Sequence, residues 1–107
     1  MLFRSEDFNA AIKCHERGLE ICKQRGDKDG EAKSYCHLGN AYQSSGNFQK
    51  SIAYHERDLR ISKEIKDKEG EGRSYCNIGN AFESLRDYRK AIEYHGHHLK
   101  IAQEIED

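Results

Sequence analysis

Proline, tryptophan, valine and threonine are all missing from this chain of 107 residues, and isoleucine is its only β-branched type. With valine, threonine and tryptophan gone from the set that favours extended strands, a β-rich fold is nearly excluded. Also missing is any stretch near the roughly 18 apolar residues of a membrane span, and the basic-then-apolar start of a signal peptide. The chain is therefore expected to be soluble and cytoplasmic. An excess of either charge is lacking too: eighteen Lys plus Arg stand against nineteen Asp plus Glu, a net charge of -1. That balance argues against a nucleic-acid partner, which needs a basic stripe, and against polybasic attachment to a membrane. Cys14, Cys22, Cys36 and Cys76 show neither the paired spacing of a zinc site nor the density of a secreted disulfide scaffold, and read as reduced thiols in or near a core.

What is present is an internal repeat. Shifting the sequence by forty residues aligns Ser34-Tyr35-Cys36-His37-Leu38-Gly39-Asn40-Ala41-Tyr42 with Ser74-Tyr75-Cys76-Asn77-Ile78-Gly79-Asn80-Ala81-Phe82. Phe8, Phe48 and Tyr88 fall in register, as do Ile12, Ile52 and Ile92, His15, His55 and His95, and Leu19, Leu59 and Leu99. Recurrence at this period means a solenoid, in which each unit buries its apolar face against its neighbours. The fold class is all-α, an α-α superhelix, and the whole chain, 1–107, forms one array: a partial repeat over 1–27 and repeats over 28–67 and 68–107.

Apolar spacing predicts five helices, over 8–24, 30–45, 48–66, 70–85 and 88–105. Tyr35, Leu38, Tyr42 and Ser45 make one stripe on the second of these. The third carries two stripes, Phe48, Ile52, His55 and Leu59, and Tyr54, Ile61 and Ile65, so it must be covered on two sides. Asp7, Asn47 and Asp87 precede the aromatic residues that open the second helix of each unit, and Asp27 and Asp67 precede the first, all as candidate N-caps. Gly46 suits a left-handed C-terminal position; Arg86 stands at the same place forty residues on, where that conformation would cost about 1 kcal/mol. Leu2 falls in register with Tyr42 and Ser5 with Ser45, so the chain is expected to begin inside a first helix. It reads as an excised piece with apolar faces exposed at both ends, which should favour a homodimer.

The pattern Tyr35-x2-Leu38-Gly39-x2-Tyr42, repeated as Tyr75-x2-Ile78-Gly79-x2-Phe82, resembles the first half of the tetratricopeptide repeat, with Tyr in place of Trp. The glycine lets a neighbouring helix approach closely. The second half of that pattern, A-x3-F, appears as Ala11-x3-His15, Ser51-x3-His55 and Ala91-x3-His95, with His replacing the aromatic throughout. The forty-residue period and the strings Gly-Asn-Ala-Tyr and Tyr-His are similar to the longer repeats of LGN/Pins-type adaptors. The G-protein-binding motifs of those adaptors are absent from this sequence.

Six histidines invite a metal or acid-base reading. His15, His55 and His95 recur at the repeat period, so they sit about 15 to 20 Å apart on successive units and cannot share an ion. They are expected to pack structurally, each with a satisfied ring nitrogen. His95 and His98, at i,i+3, make at most an adventitious chelate. Cys14 and Cys22 are about 12 Å apart along one helix, too far for a disulfide. No nucleophile with an activating base is evident, nor a glycine-rich phosphate loop. The chain is thus expected to be no enzyme, with no catalytic residue, no metal and no cofactor.

The resemblance implies a concave groove lined by the first helix of each unit and occupied by a peptide. By position, the groove-facing residues are Lys33, Cys36, His37, Asn40, Gln43 and Ser44, then Arg73, Cys76, Asn77, Asn80, Glu83 and Ser84. Asn40 and Asn80 can bond a ligand's main chain, and Lys33 and Arg73 can select an acidic segment. Each is equally the polar residue that any solvated helix face carries. The function implied is a non-enzymatic adaptor or scaffold for a protein or peptide ligand, with an acidic segment as the candidate that Lys33 and Arg73 would select. Two alternatives stand beside it: a structural, self-associating segment, or a regulatory sensor region, of a larger multi-repeat protein.

Overall fold

The computed structural model describes residues 5–106, with side chains from residue 7 onward. Leu2 and its predicted register lie outside the described residues. Five helices follow one another: α1 (Ser5–Arg25), α2 (Lys28–Ser44), α3 (Phe48–Glu64), α4 (Lys68–Ser84) and α5 (Tyr88–Glu106). The substantial packing is between consecutive helices. The shortest dimension, 21 Å, corresponds to two helix layers at about 10 Å each.

Each helix ends and the next begins in two or three residues. Asn47 N–H donates to the Tyr42 carbonyl at 2.8 Å and Gly46 N–H to that of Gln43 at 3.0 Å, the paired bonds of a Schellman ending. The Asn47 side chain then accepts from Lys50 N–H at 3.2 Å and caps α3. Asp27, Asp67 and Asp87 repeat both roles: each closes one helix through its backbone and caps the next through its carboxylate, on Gly30, Gly70 and Lys90. Asp7 departs from the expectation. It lies inside α1, whose first residue is Ser5, so it is not an N-cap.

The left-handed position before each cap is held by Gly26, Gly46, Lys66 and Arg86, with φ of 68°, 87°, 60° and 63°. Arg86 therefore keeps the turn that Gly46 makes and carries the Cβ strain of that region, about 1 kcal/mol. The two remaining ladder bonds and the Asp87 cap hold it there.

The core lies where α2, α3 and α4 meet. Leu38, Ile78 and Ala81 are fully buried, and Tyr35, Ile52 and Ile61 nearly so. Ser51, Ser62 and Ser74 are fully buried among them; their small side chains let the helices approach closely. Of the two stripes predicted for α3, Ile52 and Leu59 pack toward α4, and Tyr54 and Ile61 toward α2, with Ile65 left exposed. Ser45, expected on the core stripe of α2, is the exposed C-cap instead. Its hydroxyl donates to the Tyr42 carbonyl at 2.9 Å. Ile65 likewise ends α3 at the surface.

Candidate functional site

Three clefts run side by side across the helices. The central one, about 280 Å³, is lined by Lys33, Cys36 and His37 of α2 and Arg73 of α4. A second, about 300 Å³, lies between α1 and α2 and includes Phe8, His15, His37, Asn40 and Ser44. The third, about 320 Å³, lies between α4 and α5 and includes Arg73, Cys76, Asn77 and His98. His37 is shared by the central and second clefts and Arg73 by the central and third, so the three form a continuous band. The Asn77 amide crosses from α4 toward the Cys36 thiol, 3.9 Å away.

Eight of the twelve predicted groove-facing residues, Lys33, Cys36, His37, Asn40, Ser44, Arg73, Cys76 and Asn77, thus line this band. Gln43, Asn80, Glu83 and Ser84 do not. Gln43 accepts from the Ser51 hydroxyl at 3.4 Å and so serves the α2–α3 seam. Glu83 lies 3.6 Å from His95 Nε2 on α5. Asn80 stays exposed, its amide 3.9 Å from Cys76 Sγ one turn earlier, and Ser84 is exposed at the end of α4. Lys33 pairs with Asp29 at 3.1 Å, both mostly in solvent. Such a pair contributes little to stability and leaves the ammonium open to exchange partners.

His15 is half-buried, and its ring stacks on that of His37, with centroids 4.8 Å apart. Burial, with the neighbouring His37 as a smaller cause, holds the His15 pKa below its ordinary value. The cleft between α1 and α2 therefore offers two stacked imidazoles rather than one groove-facing histidine.

The other two recurring histidines explain the glycines. A Cβ on Gly39 would fall 2.5 Å from His55 Nε2, and one on Gly79 would fall 2.8 Å from His95 Cε1. Each glycine thus clears room for the imidazole that replaces the aromatic of the A-x3-F pattern. The expected satisfied ring nitrogen is absent from His55. Both its nitrogens are buried without a hydrogen-bond partner. Burial, reinforced by the Arg73 charge, lowers its pKa from 6.5 to about 4.

Cys36 borders the central cleft, as expected of a groove-facing thiol, but little of it is open to solvent. It is buried, and its sulfur, a nitrogen of His55 and a carboxylate oxygen of Asp58 lie within 4.8 Å of one another. Asp58 is fully buried. One oxygen accepts from the Ser62 hydroxyl at 3.2 Å, while Oδ2 has no partner. The Ser74 hydroxyl beside it donates to the Gly70 carbonyl at 3.0 Å. Burial pushes the Asp58 pKa up, against the pull of Ser74, Arg73 and Ser62. Burial and the Asp58 charge push the Cys36 thiol up, against Arg73 and Asn40. Nothing in the sequence marks Asp58 as special, since its i,i+3 spacing from His55 is that of any charged helix surface.

Residues 1–64 and 31–104 each match the tetratricopeptide repeat family model. This chain belongs to the tetratricopeptide repeat family. Among solved structures it is similar to the tetratricopeptide repeat domain of Arabidopsis FLU, with a TM-score of 0.83 and 27% identity. That likeness covers 97% of this chain and 86% of that one. No curated protein matches. Tetratricopeptide repeat proteins are generally non-enzymatic scaffolds that bind proteins, and no enzymatic family is indicated.

Proposed function

We propose that this tetratricopeptide repeat chain is an adaptor that holds an extended, acidic segment of a partner protein along the band of clefts crossing α1, α2, α4 and α5. The observation that carries this reading is the sharing of His37 and Arg73 between neighbouring clefts. A ligand crossing the band meets Lys33 and Arg73 at its centre, where a carboxylate gains charge-assisted bonds. The amides of Asn40 and Asn77 can serve its main chain. The similarity of the repeats to LGN/Pins-type adaptors supports the same role.

The test is fluorescence anisotropy with a labelled acidic peptide and a neutral one of equal length. The acidic peptide should bind more tightly, and Arg73→Glu should weaken it about tenfold or more, the scale of one hydrogen bond to a charged group. Equal binding of both peptides, unchanged in Arg73→Glu, overturns the proposal. A second reading, self-association, is supported by α5, where Ile92 is 73% and Leu99 60% exposed. Concentration-dependent assembly in light scattering, lost in Ile92→Glu, together with no peptide binding, would favour it.

A further inference from the structure

We propose that Cys36, His55 and Asp58 form an internal site for a soft divalent cation of the zinc class. Three observations converge. The thiol, imidazole and carboxylate are the ligand types zinc takes, and the sulfur with the nitrogen selects against magnesium and calcium. Their ligating atoms already lie within 4.8 Å of one another. Zinc bonds of about 2.0 to 2.3 Å place tetrahedral ligands some 3.5 Å apart, so closure needs side-chain shifts of about an ångström. Both His55 nitrogens and Asp58 Oδ2 are also buried without any hydrogen-bond partner. Two fully buried residues of this cluster thus carry unused ligand atoms, and an unpaired buried polar group is costly.

Charge balance favours the same ion. On binding, the Cys36 thiol releases its proton to solvent, Asp58 ligates as carboxylate and His55 ligates through a neutral ring nitrogen. Thiolate and carboxylate together neutralise a dication, which suits a buried site. The Ser62 hydroxyl donates to Asp58 and fixes that ligand from behind, as outer partners of metal ligands do. Cys36 also lines the central cleft, which supplies a path for the ion and leaves the fourth position to water. Arg73, on the same cleft, is the opposing charge beside the Cys36 thiol, and it slows the ion's entry.

The arrangement is particular to the middle of the array. Forty residues on, the corresponding positions are Cys76, His95 and His98. There His95 lies against Glu83, while Cys76 and His98 line an open cleft. Among the described residues, only Cys36, His55 and Asp58 gather in this way.

The experiment titrates the reduced, chelator-stripped chain with cobalt(II), then displaces it with zinc. A thiolate-to-cobalt charge-transfer band saturating at one equivalent is expected. Cys36→Ser should abolish it and weaken zinc binding more than about 100-fold, beyond the usual cost of losing an outer partner. Cys76→Ser should retain both. Circular dichroism reports whether Cys36→Ser is folded. If it is not, zinc protection of Cys36 from alkylation in the wild type, with Cys14 unprotected, decides in its place. Absence of the band, its survival in folded Cys36→Ser, its loss in Cys76→Ser, or no zinc protection of Cys36 each overturns the proposal.

Discussion

Helices α3 and α5 carry the same sequence pattern and meet different fates. Ile52 is 9% exposed, whereas Ile92, in register with it, is 73% exposed. His55 is sealed, and His95 is half-buried. Six residues of α3 are buried against two of α5, Ala91 and Ile101. The difference is α4, which covers the second face of α3, whereas among the described residues α5 packs substantially against α4 alone. A repeat's burial, and so its stability, is therefore conferred largely by the unit that follows it.

That contrast is broken most directly by truncating the paired isoleucines. Ile52→Ala should cost about 2 to 4 kcal/mol, and Ile92→Ala less than about 0.5 kcal/mol, in urea unfolding. Equal costs would mean that α5 is covered in solution.

Acid separates the two histidines next. With the His55 pKa lowered to about 4, the unfolded chain binds the proton first. The stability tied to the neutral ring is full above about pH 6.5 and is lost as pH falls toward 4, about 3 kcal/mol in all. Asp58 acts in the opposite sense: its raised pKa favours the fold at low pH and costs stability as pH rises through the folded value. With chelator present, His55→Phe should flatten the loss between pH 6.5 and 4, while His95→Phe should leave it in place.

Gly39→Ala should destabilise by about 2 kcal/mol, since its methyl meets the immobile His55 ring. Gly79→Ala should cost about 1 kcal/mol or less, because His95 can swing away; thermal melts rank the two. Smallest is the turn pair. Arg86→Gly should gain about 1 kcal/mol by relieving left-handed strain, and Gly46→Ala should lose a similar amount.

The helices were legible because their signals are local. Asp27, Asn47, Asp67 and Asp87 cap as their positions predict, since a cap needs only the chain three residues on. Asp7 misleads because the same residue type is also tolerated inside a helix. The site was legible only in part, for reasons of packing. Gln43 and Glu83 sit at groove-facing positions yet turn to Ser51 and His95. Cys36 borders the central cleft and also sits beside a carboxylate on the next helix. Such choices depend on which side chain a neighbouring helix presents, and helical spacing along one segment does not encode that.

The double duty of Asp27, Asn47, Asp67 and Asp87 has a mechanical consequence. A residue that both stops one rod and starts the next leaves no slack in the joint, so an inserted residue would sever one function or the other. Compliance in this molecule must then reside in sliding between helix faces, and a bound peptide that bridges α2 and α4 would act as a brace, stiffening the array like a splint laid across adjacent slats.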